Sequence, residues 1–453
     1  MSMVKNFHSN KLLFNIFFLI ALFSLLWSLF ILTDPLSAFL IIFSILFTIF
    51  TFLRPFYGLL LLVFLRPTLD IFTSKSIIAF GEYYLNTASL LAILAIALSV
   101  SIIFRNLNEL KKLPLKSPII LFILLTFISI FYSFNFATSV AEWLRILSIF
   151  FLYILSFVLI KNKYNFNKLV YTIIASTIIP GFMSLYQFFT KTGMTIIDED
   201  ITNRIFGTFA HPNLLAYYLT IPLALLVFLV LKKDANYIKK ILIYSLLVFN
   251  FIILLLTFTR GAWVAFLIIL LIFGTVKYRK FLAISILGLF LIYMLLPPLS
   301  ARVNNLFVYN PYSSIQWRIN IWKDGFKYAQ ENIIAGHGLG TAKEIILNKR
   351  GERFGSADPH NDYLKIFIEN GILGVISYIA IIVSLIFTLM KKYMKTKSDS
   401  AKILFLLFIG ISSALYFMSF TDNVIRNTAL QWTFWILLGA MFSFHQKNLS
   451  KQN

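Results

Sequence analysis

The side chains that could carry out chemistry lie in a few short polar segments between long apolar runs. The richest is segment 358–363, in which His360 stands between Asp358 and Asp362. A neutral imidazole can accept a proton near neutral pH, and a nearby carboxylate can orient it. We therefore predict that His360 is a general base, with both acids and Asn361 supporting it. The alternative is a histidine that caps a helix where a loop ends.

Three other segments each carry an arginine beside small or polar residues, and these arginines are Arg204, Arg260 and Arg318. A guanidinium binds phosphate oxygens through two parallel hydrogen bonds, which a lysine cannot do. The pattern predicts an anion site. Two alternatives stay open. Arg204 could pair with the acids at 198–200, and Arg260 could be an interfacial arginine whose charged end reaches towards water.

Two further histidines are candidates for supporting roles. His211 stands directly before Pro212, a residue that fits the first turn of a helix. His337 lies in the segment Gly-His-Gly-Leu-Gly, which predicts a turn with unusual backbone angles and a structural role for the imidazole. His211, His337 and His360 do not fall at paired ligand spacing, so no metal site is predicted.

The composition places the chain in a membrane. Its 453 residues are 59% hydrophobic and only 13% charged, whereas soluble domains carry about 25% charged residues. Runs such as 12–32 and 371–390 are long enough to cross about 30 Å of hydrocarbon as helices. Solid apolar runs favour helices over the alternating strands of a barrel. We predict an all-α polytopic membrane helical bundle that forms one membrane domain over residues 1–453.

The net charge is +22, and the lysines lie in short clusters between apolar runs. This distribution indicates how the chain is oriented in the membrane and does not indicate a nucleic-acid site. The chain has no cysteine, which excludes disulfides and thiol catalysis. Lys5 and Lys11 precede a long apolar run, and this favours an uncleaved anchor over a cleaved signal peptide.

Fourteen candidate spans follow from the apolar runs, or 12 to 13 if the weak pair 36–53 and 55–66 merges. They are 12–32, 36–53, 55–66, 84–104, 118–136, 141–160, 168–189, 212–231, 241–259, 261–276, 281–298, 371–390, 403–420 and 428–444.

The positive-inside rule orients these spans. With the N-terminus in the cytoplasm, the inside segments hold 24 basic residues and the short outside loops hold six. Both termini are thus predicted inside, and the large loop 299–370 outside. The arginines and histidines above then share the outer face. Within span 141–160, Glu142 and Arg145 are predicted to neutralise each other.

The chain resembles the O-antigen ligase and O-antigen polymerase family of bacterial membrane glycosyltransferases. The resemblance covers residues 200–375, a ligase-like core, and the hydropathy of the whole chain agrees with it. It rests on Arg204 to Phe209 with His211-Pro212-Asn213, on Thr259 to Trp263, on Arg318 with Trp322, on Gly336 to Gly340, and on His360-Asn361 with Gly371 and Gly374.

The resemblance implies a fold of the GT-C type in which a large external loop caps the site. It implies a donor glycan on undecaprenyl pyrophosphate, used at the outer face of the inner membrane without metal or cofactor. The acceptor is the lipid A–core oligosaccharide in ligases, another lipid-linked repeat in polymerases, or another surface glycan. Arg204, Arg260 and Arg318 would bind the pyrophosphate, and His360 would activate the acceptor.

A transporter of lipid-linked oligosaccharides is the alternative of another class. Transporters usually carry ionisable residues in mid-span and are often built from inverted repeats. Here mid-span charges are almost absent and no internal repeat stands out. The expected partners are therefore a lipid-linked donor, a glycan acceptor and membrane lipids, with no nucleic acid.

Overall fold

The computed structural model describes residues 35–73, 78–80, 83–196, 201–232, 236–311, 313–351 and 356–449. Within these ranges the chain is a bundle of α-helices with two small antiparallel hairpins, which confirms the predicted all-α fold. The elements are α1 (Pro35–Leu53), α2 (Pro55–Leu65), β1 (Ile78–Phe80), β2 (Tyr83–Leu85), α3 (Thr87–Ile103), α4 (Leu107–Leu110), α5 (Lys116–Ile128), α6 (Phe136–Leu159), α7 (Lys163–Ala175), α8 (Ile178–Thr190), β3 (Met194–Ile196), β4 (Ile201–Arg204), α9 (Pro212–Leu231), α10 (Tyr237–Leu256), α11 (Arg260–Val276), α12 (Arg279–Leu295), α13 (Pro297–Asn304), α14 (Ser314–Ala329), α15 (Ala342–Arg350), α16 (Asp362–Lys395), α17 (Asp399–Thr421) and α18 (Thr428–Leu449).

Several of these helices are long and apolar enough to cross a membrane. Within the described ranges there are six such spans, formed by α6, α7 with α8, α9, α10, α16 and α17. A seventh results if α12 and α13, which are bent by 98°, form one span. Of the other predicted spans, one is α18 and five are shorter apolar helices. The predicted span 12–32 lies outside the described residues. The chain is a multi-pass membrane protein.

The centre of the bundle contains α6, α9 and α18, whose side chains are buried on most sides. A helix that is apolar all round is stable when other helices surround it. The polar atoms buried there have partners: Trp432 Nε1 donates to Ser148 Oγ at 3.0 Å, and the hydroxyls of Tyr218 and Ser176 lie 2.5 Å apart. These hydrogen bonds provide partners for polar groups that could form no hydrogen bond with lipid hydrocarbon.

The segment between α13 and α16, which we call the external segment after its predicted location, has a small core of its own. Ile321 and Ala329 of α14 pack with Ile346 of α15 and with Leu364 and Ile368 of α16. α14 is amphipathic, because Ile321 and Ala329 face this small core whereas Phe326 is 52% exposed. The small core fixes the external segment above the start of α16.

The glycine-rich turn joins this segment to α16. Gly336, Gly338 and Gly340 have positive φ, as predicted. The backbone N–H groups of His337 and Gly338 donate to the carbonyls of Ile368 and Glu369 at 2.9 and 2.8 Å. Gly371 is also left-handed, with φ of 62°, and it kinks α16 where the turn packs against it.

Replacing Gly371 with alanine is expected to destabilise the protein by about 2–4 kcal/mol, because the backbone is left-handed and crowded. A Cβ there would lie 2.2 Å from the carbonyl oxygen of Ile334. The measurement is the thermal unfolding midpoint in detergent. Gly288→Ala is the control, because a Cβ at that position on α12 meets no atom within 4 Å. Equal midpoints for the two variants would contradict this account.

Candidate functional site

His360 lies at the point where the external segment enters α16. Its φ is 47°, a left-handed conformation. The next residue, Asn361, caps α16 by accepting a hydrogen bond from the Leu364 N–H at 3.1 Å. The capping role belongs to Asn361 and not to His360, so the alternative of a helix-cap histidine is wrong.

The ring of His360 is held by Asp422, which follows the end of α17. The two side chains meet at 2.6 Å between Nδ1 and Oδ1. Burial acts to raise the pKa of Asp422, but the neighbouring His360 and Arg318 hold it well below its ordinary value. The ionised Asp422 accepts a hydrogen bond from Nδ1–H, so in the neutral ring Nε2 carries the lone pair that can act as the base. Trp317 contacts the ring edge-to-face, with centroids 5.3 Å apart.

Asp358 and Asp362 do not orient the imidazole, which corrects the prediction. Asp358 accepts hydrogen bonds from Asn423 Nδ2 and, at 3.3 Å, from Arg426 Nη1. Asp362 accepts from the Ile425 N–H at 3.1 Å. The left-handed turn at His360 separates the ring from its neighbours in sequence. The two acids instead fasten the His360 turn to the short helix 424–426.

The buried Glu142 links the His360 turn to the helical bundle. Glu142 pairs with Arg145, as predicted, and also with Arg426, whose Nη2 lies 2.5 Å from Oε1. Glu142 raises the pKa of Arg426 above its ordinary value, so this guanidinium stays charged. Arg426 therefore joins α6 to Asp358, two residues before His360.

Arg204 is buried at the turn between α10 and α11. Its Nε donates to the Thr257 carbonyl at 2.8 Å, and Nη2 donates to Asn213 Oδ1 and Thr259 Oγ1 at 3.0 and 3.1 Å. Asn213 in turn donates to Asp422 at 2.7 Å. A continuous hydrogen-bonded chain thus runs from Arg204 to His360. The acids at 198–200 lie outside the described residues.

Arg204 stays charged although its side chain is buried. Burial, followed by the nearby charge of Arg318, lowers the pKa of Arg204 to about 10. The side chain therefore remains protonated at neutral pH and contributes a fixed positive charge.

Arg260 and Arg318 meet at the first residue of α14. Arg260 Nη2 donates to Ser314 Oγ at 3.1 Å, and Arg318 Nη1 lies 3.3 Å from the Ser314 carbonyl. Arg260 is itself the first residue of α11, and its guanidinium meets that of Arg318 at the N-terminus of α14. Helix N-termini carry partial positive charge and bind anions. Arg318 is also within electrostatic reach of Arg204.

The two other histidines contact backbone atoms. His211 caps α9, with Nδ1 accepting from the Asn213 N–H at 3.1 Å. Burial, and then Arg204, lowers its pKa to about 4, so it is neutral near pH 7. His337 Nε2 lies 3.0 Å from the Tyr328 carbonyl, inside the external segment. Neither imidazole contacts His360 or the predicted arginines through a hydrogen bond within the described ranges.

The structure therefore brings His360 and the three predicted arginines to one end of the bundle, and it adds Asp422 and Asn213 between them. Sequence reasoning missed Asp422 as the partner of His360. The available signal was a polar stretch, 422–427, that interrupts two apolar spans. Among the residues that the structure describes, no group of three or more histidines and acids converges as metal ligands would.

Comparison with known proteins supports the family predicted from the motifs. Residues 245–379 match a family model described as O-antigen ligase. No curated protein matches the chain. The matched segment contains Arg260, Arg318 and His360, whereas Arg204 and Asp422 lie outside it. The chain is thus a multi-pass membrane protein in which residues 245–379 match the O-antigen ligase family model.

Proposed function

We propose that the protein is a glycosyltransferase that moves a glycan from a lipid-linked pyrophosphate to an acceptor hydroxyl. The main support is the hydrogen-bonded chain Arg204–Asn213–Asp422–His360, which fixes a cation and a base relative to each other. The family match at residues 245–379 agrees with this reaction class.

The arginines would act on the leaving group. When the bond between sugar and phosphate breaks, its electron pair stays on the phosphate oxygen, and fixed cations at that position lower the barrier. Arg260 and Arg318, together with the N-termini of α11 and α14, supply such a surface. Arg204 has three contacts with the protein, so it positions Asn213 and adds its charge to the field.

His360 would act on the acceptor. Its Nε2 takes the proton of the acceptor hydroxyl as that oxygen attacks the sugar carbon. Asp422 stabilises the imidazolium that forms and keeps the ring in the required tautomer. Fixed guanidiniums then play the electrophilic part that a metal ion would otherwise play.

The proposed location is the outer face of the bacterial inner membrane, with both termini in the cytoplasm and the external segment outside. The 24 to six distribution of basic residues supports this orientation. Undecaprenyl pyrophosphate is the proposed lipid of the donor, and the lipid A–core or another surface glycan is the proposed acceptor.

A polymerase of the same family is the second candidate, because both reactions need the same cations and base. The test is a proteoliposome assay with a defined lipid-linked donor and two acceptors, the same donor molecule or another glycolipid. A longer glycan on the donor lipid indicates a polymerase, and a glycan on the second lipid indicates a ligase. Transfer to neither acceptor would contradict the proposed reaction class.

Arg260→Lys is expected to lower transfer by about 10- to 100-fold, since it keeps the charge but loses the bidentate fork, worth about 1.5–3 kcal/mol. The measurement is the initial rate at saturating and limiting donor. Arg350→Lys is the matched control, because Arg350 is the last residue of α15 and pairs with Asp324 at 3.0 Å. An unchanged rate in Arg260→Lys would mean that Arg260 is only an interfacial anchor.

A further inference from the structure

Four consecutive apolar residues, 306–309, follow α13 and lie on the surface of the protein. Their sequence is Leu-Phe-Val-Tyr, and we call them the apolar segment. Their exposed fractions range from 45% at Leu306 to 85% at Phe307. A surface in contact with water rarely carries such a run, whereas a surface that contacts a partner or a membrane does.

The sequence around the apolar segment contains no charged side chain. From residue 303 to residue 317 there is no lysine, arginine, aspartate or glutamate. The next stretch of the same length, 318–332, contains five charged residues, namely Arg318, Lys323, Asp324, Lys327 and Glu331. A charged group is costly in contact with hydrocarbon. The charge-free stretch is therefore what a lipid-contacting segment requires, and it is confined to the start of the predicted loop.

The apolar segment lies beside α12, an apolar helix in which no residue is buried by protein. Exposed side chains such as Phe290 and Leu295 cover the surface of α12. The hydroxyl of Tyr293, in the last turns of α12, donates to Asn304 Oδ1 at 2.9 Å. This hydrogen bond ties the last residue of α13 to α12, and the apolar segment begins two residues later. The apolar segment thus continues the apolar surface of α12.

α13 connects this surface to the candidate site. It is bent by 98° from α12, and since membrane-crossing helices are tilted by about 20° on average from the bilayer normal, α13 runs along the membrane surface. Its other side faces protein, where Arg302 is 4% exposed and donates from Nε to the Phe258 carbonyl at 3.2 Å. The turn at Phe258 also lies beside the cluster formed by Arg204, Arg260 and Arg318. The apolar segment therefore lies at the same end of the bundle as His360.

We propose that the apolar segment inserts into the membrane leaflet at this end of the bundle, with bilayer lipid as its partner. Phe307 then contacts the acyl chains, and Tyr309 lies at the level of the lipid head groups, where tyrosine is enriched. Four residues are too few for a stable protein interface, which uses about 20–30 residues on each side. Lipid fits the apolar segment better than a second copy of the chain does. The inference goes beyond the proposed reaction and does not rest on it.

The test uses the absence of cysteine from the chain, because a single introduced cysteine can then carry a nitroxide label in the full-length protein. Phe307→Cys is labelled in proteoliposomes of phosphatidylethanolamine and phosphatidylglycerol. Collision rates of the label are measured with oxygen, which concentrates in lipid, and with a water-soluble nickel chelate. Phe290→Cys on α12 is the control for a lipid-facing site, and Asn348→Cys on the exposed side of α15 is the control for a water-facing site.

The ratio of oxygen to nickel collisions at Phe307→Cys is expected to be close to that at Phe290→Cys and well above that at Asn348→Cys. A ratio equal to that at Asn348→Cys would overturn the inference. So would low collision rates with both reagents, because protein and not lipid would then cover the apolar segment. A second site, Val308→Cys, repeats the measurement with Phe307 in place. Adding Phe307→Asp to that variant should shift the Val308→Cys label towards the nickel reagent, and an unchanged ratio would show that the apolar side chain does not drive insertion.

Discussion

Substitution of His360 by alanine is expected to lower glycan transfer by about 10²- to 10⁴-fold, the usual contribution of a general base. The physical reason is the 2.6 Å contact with Asp422, which fixes the proton on Nδ1 and leaves Nε2 to receive the acceptor proton. An alanine removes that acceptor without removing any arginine. Transfer from a lipid-linked donor in proteoliposomes measures the effect.

Two comparisons show whether the loss is chemical. Binding of inorganic pyrophosphate to His360→Ala should stay close to that of the natural protein, because the cations remain. His445→Ala should retain transfer, since His445 lies in the last turns of α18 and contacts Phe405. Full activity of His360→Ala would remove the imidazole from the mechanism. A loss of pyrophosphate binding equal to the loss of transfer would make His360 a structural residue.

The residues with chemistry could be found from the sequence because their types are rare in this chain. With five histidines among 453 residues, one that stands between two acids is conspicuous. Its partner could not be found in the same way. Asp422 is 62 positions away, and the contact exists only because α16 and α17 pack together and return the chain to the same end of the bundle.

The acids beside His360 illustrate the limit of local reasoning. Asp358 and Asp362 are close in sequence, but the left-handed backbone at His360 and the cap at Asn361 direct them to other partners. Similarly, apolar runs predict where helices lie, yet nothing in the run 371–390 states that the same helix begins at Asp362 and bends at Gly371. The start and the bend of a helix depend on tertiary packing, which cannot be predicted from the spacing of apolar residues.

The contacts of Arg302 show the same limit. It lies in an eight-residue helix after Pro297, with no motif around it, and its approach to the Phe258 carbonyl depends on the 98° bend between α12 and α13. A bend of this size follows naturally from a pair of prolines, Pro297 and Pro298.

The second large effect is expected from Asp422→Asn, which should lower transfer by about 10²- to 10⁴-fold. Asparagine keeps the shape of the side chain, but it cannot stabilise the imidazolium and offers Nδ1 a weaker acceptor. It also disturbs the link to Arg204 through Asn213, which donates to this carboxylate at 2.7 Å. The measurement is the pH–rate profile together with the rate itself. The rate should fall across the whole profile, because the ring is no longer held in the required tautomer.

The pH dependence of the free energy of unfolding distinguishes a role of Asp422 in transfer from a purely structural role. The folded-state pKa of Asp422 is lowered, so the stability that it contributes is present above the ordinary carboxyl pKa and is lost only as the pH falls through the folded value. Between pH 6 and 8 the ionised Asp422 therefore gives no slope in stability. Asp399→Asn is the matched control at the other end of α17, where the side chain is 81% exposed and pairs with Lys277. Because Asp399 is remote from the cluster in the fold, its variant should keep both the rate and the profile. An Asp422→Asn protein with the natural rate and profile would show that the contact between carboxylate and imidazole plays no part in transfer.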